Sequence, residues 1–400
     1  MKLKSNEPFW LVKNGLINTY PSLRENHKTE ILIIGAGITG SLIAHQCIQD
    51  GYDTTIIDRR DIANGSTSAT TSMLQYEIDM PLWELINMIG EKGAVMSYQA
   101  CSDAIDQLGD IVKDIKSNCG FKKKKSLYYA ARKKDVASLK KEFETRAHYH
   151  FPVTWFAPEE IEKQFHIKNT YGGILSEQGA SFDAYQCAND LLIFNQKKGL
   201  KIFDKTDVVK VKYGKTIKAT TEFGTTIEAK KIIYCNGFES TEIIKEDFVD
   251  LLSTYAIVSE STEGLNTEIK DLLIWNTAEP YLYMRTTEDG RFLVGGEDEE
   301  FVNPKLRDKL IDRKSNTLIK KLKKIKPDFE FKLDYSWAGT FGETKDGLPY
   351  IGKHKKFKNA YFVLGFGGNG ITFSVTGMAM VSAMLHKQSH PLDKYFRFGR

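Results

Sequence analysis

The run Glu30-Ile-Leu-Ile-Ile-Gly-Ala-Gly-Ile-Thr-Gly40 constrains this chain more than any other. Ile31 to Ile34 are four consecutive large apolar residues, the pattern of a strand buried on both faces of a parallel sheet. Gly35, Gly37 and Gly40 follow in G-x-G-x-x-G spacing, and Ser41 to Gln49 can continue as a helix. Strand, glycine turn and helix in that order are the context of a dinucleotide fingerprint. Gly35 permits the tight turn, Gly37 lets a pyrophosphate approach the backbone, and Gly40 lets helix and strand pack closely. The helix start adds free N–H groups and partial positive charge. A second strand, Thr54 to Ile57, ends at Asp58, 23 residues after Gly35. A carboxylate there can hydrogen-bond a ribose diol. The competing reading is a glycine turn in an unrelated α/β unit; strand, helix and acid in register favour the dinucleotide site.

Four hundred residues exceed the usual single-core size, so two domains are expected. The formal net charge of +4 does not argue for nucleic acid as a partner. The one dense basic run, Lys122 to Lys125, reads as a solvated turn before strand-like Ser126 to Ala130. No window approaches the roughly 18 apolar residues of a membrane span. No apolar stretch before Glu30 resembles a secretory signal. Five scattered cysteines without a C-x-x-C pair suit a reducing cytosol and no structural metal.

Residues 1–27 read as an N-terminal arm, with Phe9, Trp10 and Leu11 as its packing residues. After Asp58 the stretch Gly65 to Ser72 is dominated by small hydroxyl residues, so backbone and hydroxyls there can reach phosphate or sugar oxygens. Met73-Leu74-Gln75-Tyr76-Glu77 would then sit beside the reactive end of a cofactor. Apolar spacing predicts helices over 82–118, 134–147, 183–196 and 303–324. Strands are expected at 199–203, 206–211, 216–220 and 229–235, the last ending in Asn236-Gly237, and again at 253–260, 281–286 and 291–295.

A second glycine turn closes the chain. Ala360 to Leu364 is strand-like, Gly365-Phe-Gly-Gly-Asn-Gly370 follows, and Ile371 to Leu385 is a small-residue helix. The spacing is again G-x-G-x-x-G, but no second strand or acidic partner follows. The better reading is a helix N-terminus that closes over a group held at the first site and stabilises negative charge on it.

Three motifs together resemble the D-amino-acid-oxidase-like flavoproteins, the family of glycine oxidase, sarcosine oxidase and D-amino-acid dehydrogenase. Within it the chain is most similar to the gamma-glutamylputrescine-oxidoreductase-like branch. The motifs are Gly35 to Gly40 with Asp58 and the Gly65-Ser-Thr-Ser loop, Trp337-Ala-Gly-Thr-Phe-Gly-Glu-Thr-Lys-Asp-Gly-Leu-Pro-Tyr-Ile-Gly352, and Gly365-Phe-Gly-Gly-Asn-Gly-Ile371. The resemblance implies an α/β fold. Its Rossmann-type FAD-binding domain would comprise 28–90, 177–245 and 331–400. A mainly antiparallel substrate domain would comprise 91–176 and 246–330. It implies FAD, with Ile38 and Thr39 at the pyrophosphate and Asp58 and Arg59 at the adenosine ribose. Ser66, Thr67, Thr71, Ser72 and Met73 would run toward the flavin. Val208 and Gly237 would lie near the adenine. Phe366, Gly367, Gly368, Asn369, Gly370, Ile371 and Thr372 would face the flavin pyrimidine. Gly339 stands where relatives carry a cysteine that binds flavin covalently, which implies non-covalent FAD.

Two departures bear on substrate. Phe341 stands where the amino-acid oxidases carry an arginine that clamps the substrate carboxylate, and a phenyl ring cannot replace that bidentate pair. A second substrate-facing arginine of glycine oxidase falls at Gly368. The tyrosine survives as Tyr281. An apolar or extended amine is therefore expected, with Phe341 as a pocket wall and Met73 and Gln75 nearby. Tyr76 and Glu77 are candidates to read the amine. Arg285 is either an anion ligand or a solvated or structural arginine.

The expected reaction is oxidation of a C–N bond by hydride transfer to the flavin, with oxygen, a quinone or an electron carrier as final acceptor. The cofactor carries the chemistry, so no protein nucleophile or metal is needed. Alternatives are oxidation of a 2-hydroxy acid or polyol on the same scaffold, and a flavoprotein that binds without turnover. The first motif alone also admits a nicotinamide dehydrogenase; the closing C-terminal turn argues against it.

Overall fold

In the computed structural model, which describes residues 1–5, 7–261 and 267–400, the four-residue apolar runs become the centre of a parallel sheet. Lys201–Phe203, Thr54–Ile57, His27–Ile34 and Thr226–Tyr234 lie side by side in that order, with Ala360–Leu364 parallel to the end of Thr226–Tyr234. Ile31 pairs with Thr54 on one side and Lys231 on the other, so Ile34, Ile57 and Tyr234 end at one edge. Ligands of open α/β sheets bind at that carboxyl edge. Strands Val208–Lys212, Ile217–Thr221 and Tyr350–Lys353 extend the sheet to eight strands by antiparallel pairing. Helices Ile38–Gln49, Ala184–Gln196 and Gly370–Leu385 cover one face.

A second eight-stranded sheet is antiparallel except where Leu272–Asn276 runs parallel to Lys125–Tyr129. Helix Ile311–Ile325 buries Leu318 and Leu322 against it. Two expected boundaries move. Leu333–Glu343, assigned to the FAD domain, pairs along its whole length with Asp250–Ser259 and is an edge strand of the antiparallel sheet. Glu91–Asp114, assigned to the substrate domain, buries Tyr98, Cys101 and Ile105 in one core with Ile43 and Phe373, because its apolar stripe faces Gly370–Leu385.

The predicted helix over 82–118 breaks at Gly90, whose φ of 83° stops Leu82–Ile89 and starts Glu91–Asp114. The helix over 303–324 divides into Pro304–Lys309 and Ile311–Ile325. The basic run is not wholly solvated. Lys122 and Lys123 form a short strand, whereas Lys124 is buried and its Nζ donates to the Lys270 and Thr286 carbonyls and the Thr286 hydroxyl. Burial, then Arg285, pushes that ammonium down to about 7. The N-terminal arm docks on the antiparallel edge. The Thr340 N–H donates to the Leu3 carbonyl at 2.7 Å and the Ser5 N–H to Ala338 at 2.9 Å, and Phe9 and Trp10 are buried.

Candidate active site

One cavity of about 1220 Å³ is bounded by the parallel sheet's carboxyl edge, the loop 65–73, the C-terminal glycine turn and the inner face of the antiparallel sheet. Gly35, Gly37, Ile38 and Thr39 line it at the first turn, and Val208 and Gly237 line it beyond. Gly35 adopts φ 100°, and a Cβ there would approach the Cys235 carbonyl oxygen at 2.6 Å. A Cβ on Gly37 would meet Thr67 Oγ1 at 2.8 Å. That hydroxyl accepts the Ile38 N–H at 3.0 Å, so the small-residue loop is fastened to the helix start. The Asp58 carboxylate accepts the N–H groups of Ala36 and Arg60 at 2.8 and 2.9 Å. Burial pushes its carboxyl up to about 6, against those two bonds. Arg59 lines the cavity and pairs with Glu239.

Ser66, Thr67, Thr71 and Met73 continue the lining, as do Gly339 and the turn residues Gly367, Gly368, Gly370 and Ile371. Tyr281, Phe341 and Gln75 line the same cavity, joined by Tyr128, Trp275 and Tyr283. The Tyr128 and Trp275 rings stack with centroids 3.6 Å apart, and the Tyr281 and Tyr283 centroids lie 5.6 Å apart.

Three carboxylates share this aromatic end. The Asp79 carboxylate, solvent-accessible at the open cavity, accepts the Gly368 N–H at 2.9 Å, and desolvation by the surrounding cavity walls holds its carboxyl above the usual range. Both Asp298 oxygens are closed to solvent and, among the described residues, no cation or N–H donor faces them; the Thr254 hydroxyl is the polar group beside them. Burial pushes Asp298 up to about 6; Thr254 opposes that shift and Asp79 adds to it. Burial, then Asp79 and Asp298, pushes Glu343 up to about 7. The Tyr281 phenol is held well above its ordinary value by burial and then by Asp298 and Asp79.

Several expected contacts fall elsewhere. Arg285 is neither solvated nor part of this cavity. It is 3% exposed, and its guanidinium donates to the carbonyls of Thr71, Phe182 and Thr286 from behind the loop. Tyr76 is buried, stacks on Phe151 and bonds Ser176. Glu77 does reach the cavity wall, but Arg146 faces it at 3.5 Å. Gly40 lies behind the cradle, its Cα packed on the Gly35 carbonyl. Ser72 is buried at φ 54°, which turns its side chain inward. Phe366 packs into the core against Phe238, and the Thr372 hydroxyl bonds the Asn369 carbonyl. The buried Asn369 amide donates to the Gln75 carbonyl, which ties the turn to the strand Met73–Gln75. These residues shape the cavity from behind. No motif marks Asp79 or Asp298, although Asp298 stands in the acid run Glu297 to Glu300; Glu343 lies within the Trp337 to Gly352 motif but carried no role there.

The model for the DAO family, FAD dependent oxidoreductase, matches residues 30–383. The chain belongs to this family. It is 25% identical to glycine oxidase of Bacillus licheniformis, covering 91% of this chain and 94% of the relative. It is 23% identical to the putative Rieske 2Fe-2S iron-sulfur protein YhfW of Bacillus subtilis (strain 168), covering 98% of this chain and 75% of the relative. It is 20% identical to gamma-glutamylputrescine oxidoreductase of Escherichia coli (strain K12), covering 94% and 88%. The crystal structure of glycine oxidase from Geobacillus kaustophilus superposes with a TM-score of 0.78 at 16% identity, covering 94% of this chain and 99% of that one. The family cofactor fits the cavity. The glycine turn leaves no room for a Cβ, and the Ser66 hydroxyl and Asn236 amide oxygen along it are buried without partners among the described residues. An elongated dinucleotide with hydroxyls and phosphates supplies what such groups lack. FAD is the cofactor of this flavoprotein, an oxidoreductase.

Proposed function

We propose that this protein oxidises a C–N bond of an amine or amino-acid derivative, FAD when bound serving as hydride acceptor. One observation carries the reading: Phe341 and three carboxylates line the aromatic end of the cavity, and among the described residues no lysine, arginine or histidine stands with them. That end suits an amine nitrogen better than a free carboxylate. Phe341 and Met73 form apolar walls that exclude water from the reacting carbon. Glu343, with its carboxyl near 7, takes the ammonium proton and frees the nitrogen lone pair. Gly37 to Thr39 hold the pyrophosphate and Asp58 the ribose. The start of the helix Gly370–Leu385 lines the cavity with Gly368, Gly370 and Ile371, and its N–H groups would stabilise negative charge on the cofactor held there. The relatives named for glycine and for gamma-glutamylputrescine support a C–N substrate. The acceptor is oxygen, a quinone or an electron carrier; the iron–sulfur name of one relative supports the carrier. Five buried free cysteines suit a cytosolic setting.

Anaerobic photometry of the FAD-loaded protein tests this. Amines of graded length and charge are added, and the visible flavin band is followed. Bleaching by at least one amine supports the reading; failure of every amine overturns it.

A further inference from the structure

The far end of the cavity carries more negative charge than oxidation of a single amine requires. Glu77, Asp79, Glu279, Asp298, Glu300 and Glu343 all line the void, and among the described residues its lining cations are Arg59, Arg60 and Lys210, on the dinucleotide side. Arg146 answers Glu77, and the Gly368 N–H answers one oxygen of Asp79. Among the described residues Asp298 has no cation and no N–H against it, although both its oxygens are closed to solvent; the neutral Thr254 hydroxyl is its polar neighbour. The nearest ammonium, Lys314, is engaged by Glu297 and Glu299 on the other side of that strand. Asp79 disfavours ionisation of Asp298, and both disfavour ionisation of Glu343. A buried carboxylate without a partner is costly, so this arrangement is complete only with a cation in the void.

Among the described residues, no three histidine, cysteine or carboxylate side chains converge closely enough to hold a metal ion. The charge is spread along an apolar, aromatic wall, which suits cations spaced along an aliphatic chain. The faces of Trp275, Tyr128, Tyr281 and Tyr283 add cation–π contacts and cover for methylenes.

We propose that the substrate is an oligoamine bearing at least two ammonium groups, one presented to Glu343 for oxidation and another held by Asp298 with Asp79. This rests on the amine-oxidation reading and narrows it. It excludes amines whose distal group is a carboxylate.

The test uses the FAD-loaded protein and separates binding from turnover. The binding probe is 1,6-bis(trimethylammonium)hexane, which has no nitrogen lone pair to support oxidation; its monocationic counterpart is hexyltrimethylammonium. Each is titrated against the flavin absorption band. The dication is expected to bind about tenfold or more tightly than the monocation, with Asp298→Asn removing most of that difference. Equal affinities, or an unchanged preference in Asp298→Asn, overturn the proposal. The flavin spectrum of each variant reports whether it is folded; if Asp298→Asn does not retain FAD, Glu343→Gln carries the same comparison. Turnover is read separately with 1,6-diaminohexane, hexylamine and 6-aminohexanoate. Faster bleaching by hexylamine or 6-aminohexanoate than by the diamine overturns the oligoamine proposal and leaves amine oxidation standing. Dication binding through Asp298 without bleaching by any amine supports the charge assignment and overturns amine oxidation.

Discussion

Asp79 Oδ2 accepts the backbone N–H of Gly368 at 2.9 Å, which joins the segment after the small-residue loop to the glycine turn near the chain's other end. One carboxylate thus shapes the C-terminal turn and sets the charge of the substrate end. Asp79→Asn keeps an acceptor for Gly368 and removes the charge that helps hold Glu343 up. The Glu343 midpoint, near 7, should therefore move down. In anaerobic flavin reduction the acid limb of the pH profile shifts to lower pH in Asp79→Asn. Asp79→Ala shows the same shift and also retains FAD less well. An unmoved acid limb would separate Glu343 from the proton transfer.

The same carboxylates make stability depend on pH. Asp298 and Glu343 are raised in the folded protein, to about 6 and about 7. A group raised in this way contributes stability below its unfolded pKa and loses it as pH rises through the folded value. The substrate-free holoenzyme should therefore melt at a higher temperature near about pH 5 than near about pH 8. Asp298→Asn should raise Tm at the alkaline end and flatten the profile, by roughly 1–2 kcal/mol at pH 8 after allowance for residual solvation. Scanning calorimetry across that range checks the sign.

What the sequence carried was the part written as local pattern. Ile31 to Gly40 predicts its own strand, turn and helix, because apolar runs and glycines state buried strands and close approaches directly. The Ile38 N–H bond to the Thr67 hydroxyl, which fastens the loop to the turn, was not among those expectations. What it did not carry was side-chain direction between elements far apart in the chain. Tyr76 and Glu77 are adjacent, yet only Glu77 reaches the cavity, because a turn of one residue exchanges faces. Arg285 lies two residues beyond Tyr283 on one strand but does not reach the void that Tyr283 lines. Asp79, Asp298 and Glu343 meet only through tertiary packing, so no spacing could announce them.

The glycine turn gives a steric prediction. In Gly40→Ala the new methyl would collide with the Gly35 backbone carbonyl, which cannot swing aside as a flexible side chain can. The cost should be about 3 kcal/mol or more, with loss of bound FAD. In Gly37→Ala the methyl meets the Thr67 hydroxyl at 2.8 Å, and that side chain can rotate at the expense of its bond to Ile38. Thermal melts should show Gly37→Ala as the milder change, with FAD affinity reduced more than stability.

Arg285 should behave as a positioning residue. Its guanidinium satisfies the carbonyls of Thr71 and Phe182, and Thr71 lies in the loop that lines the cofactor cavity. Arg285→Ala strands buried acceptors and should cost on the order of 2–4 kcal/mol, with weaker FAD retention. Once saturated with FAD, the variant should keep its relative KM values for cationic, neutral and anionic amines. A rise in KM confined to carboxylate-bearing amines would instead make Arg285 an anion ligand.

Phe341 offers the most direct test of how this chain discriminates. It pairs with Leu252 in the antiparallel sheet and lines the cavity that Asp298 and Glu343 share. Phe341→Arg introduces a guanidinium among those carboxylates, so it both satisfies them and provides a fork for a substrate carboxylate. Two effects should follow together. Affinity for 1,6-diaminohexane falls because the pocket's negative charge is answered internally, and 6-aminohexanoate gains a partner. The ratio of their kcat/KM values should move toward the amino acid by about tenfold or more, equivalent to about 1.4 kcal/mol of selectivity. Phe341→Leu controls for loss of the ring and should lower both values without changing their ratio, since it alters apolar packing and no charge. If Phe341→Arg binds FAD normally and the ratio stays fixed, Phe341 does not touch the distal end of the substrate, and selectivity then resides in Asp298 and its neighbours alone.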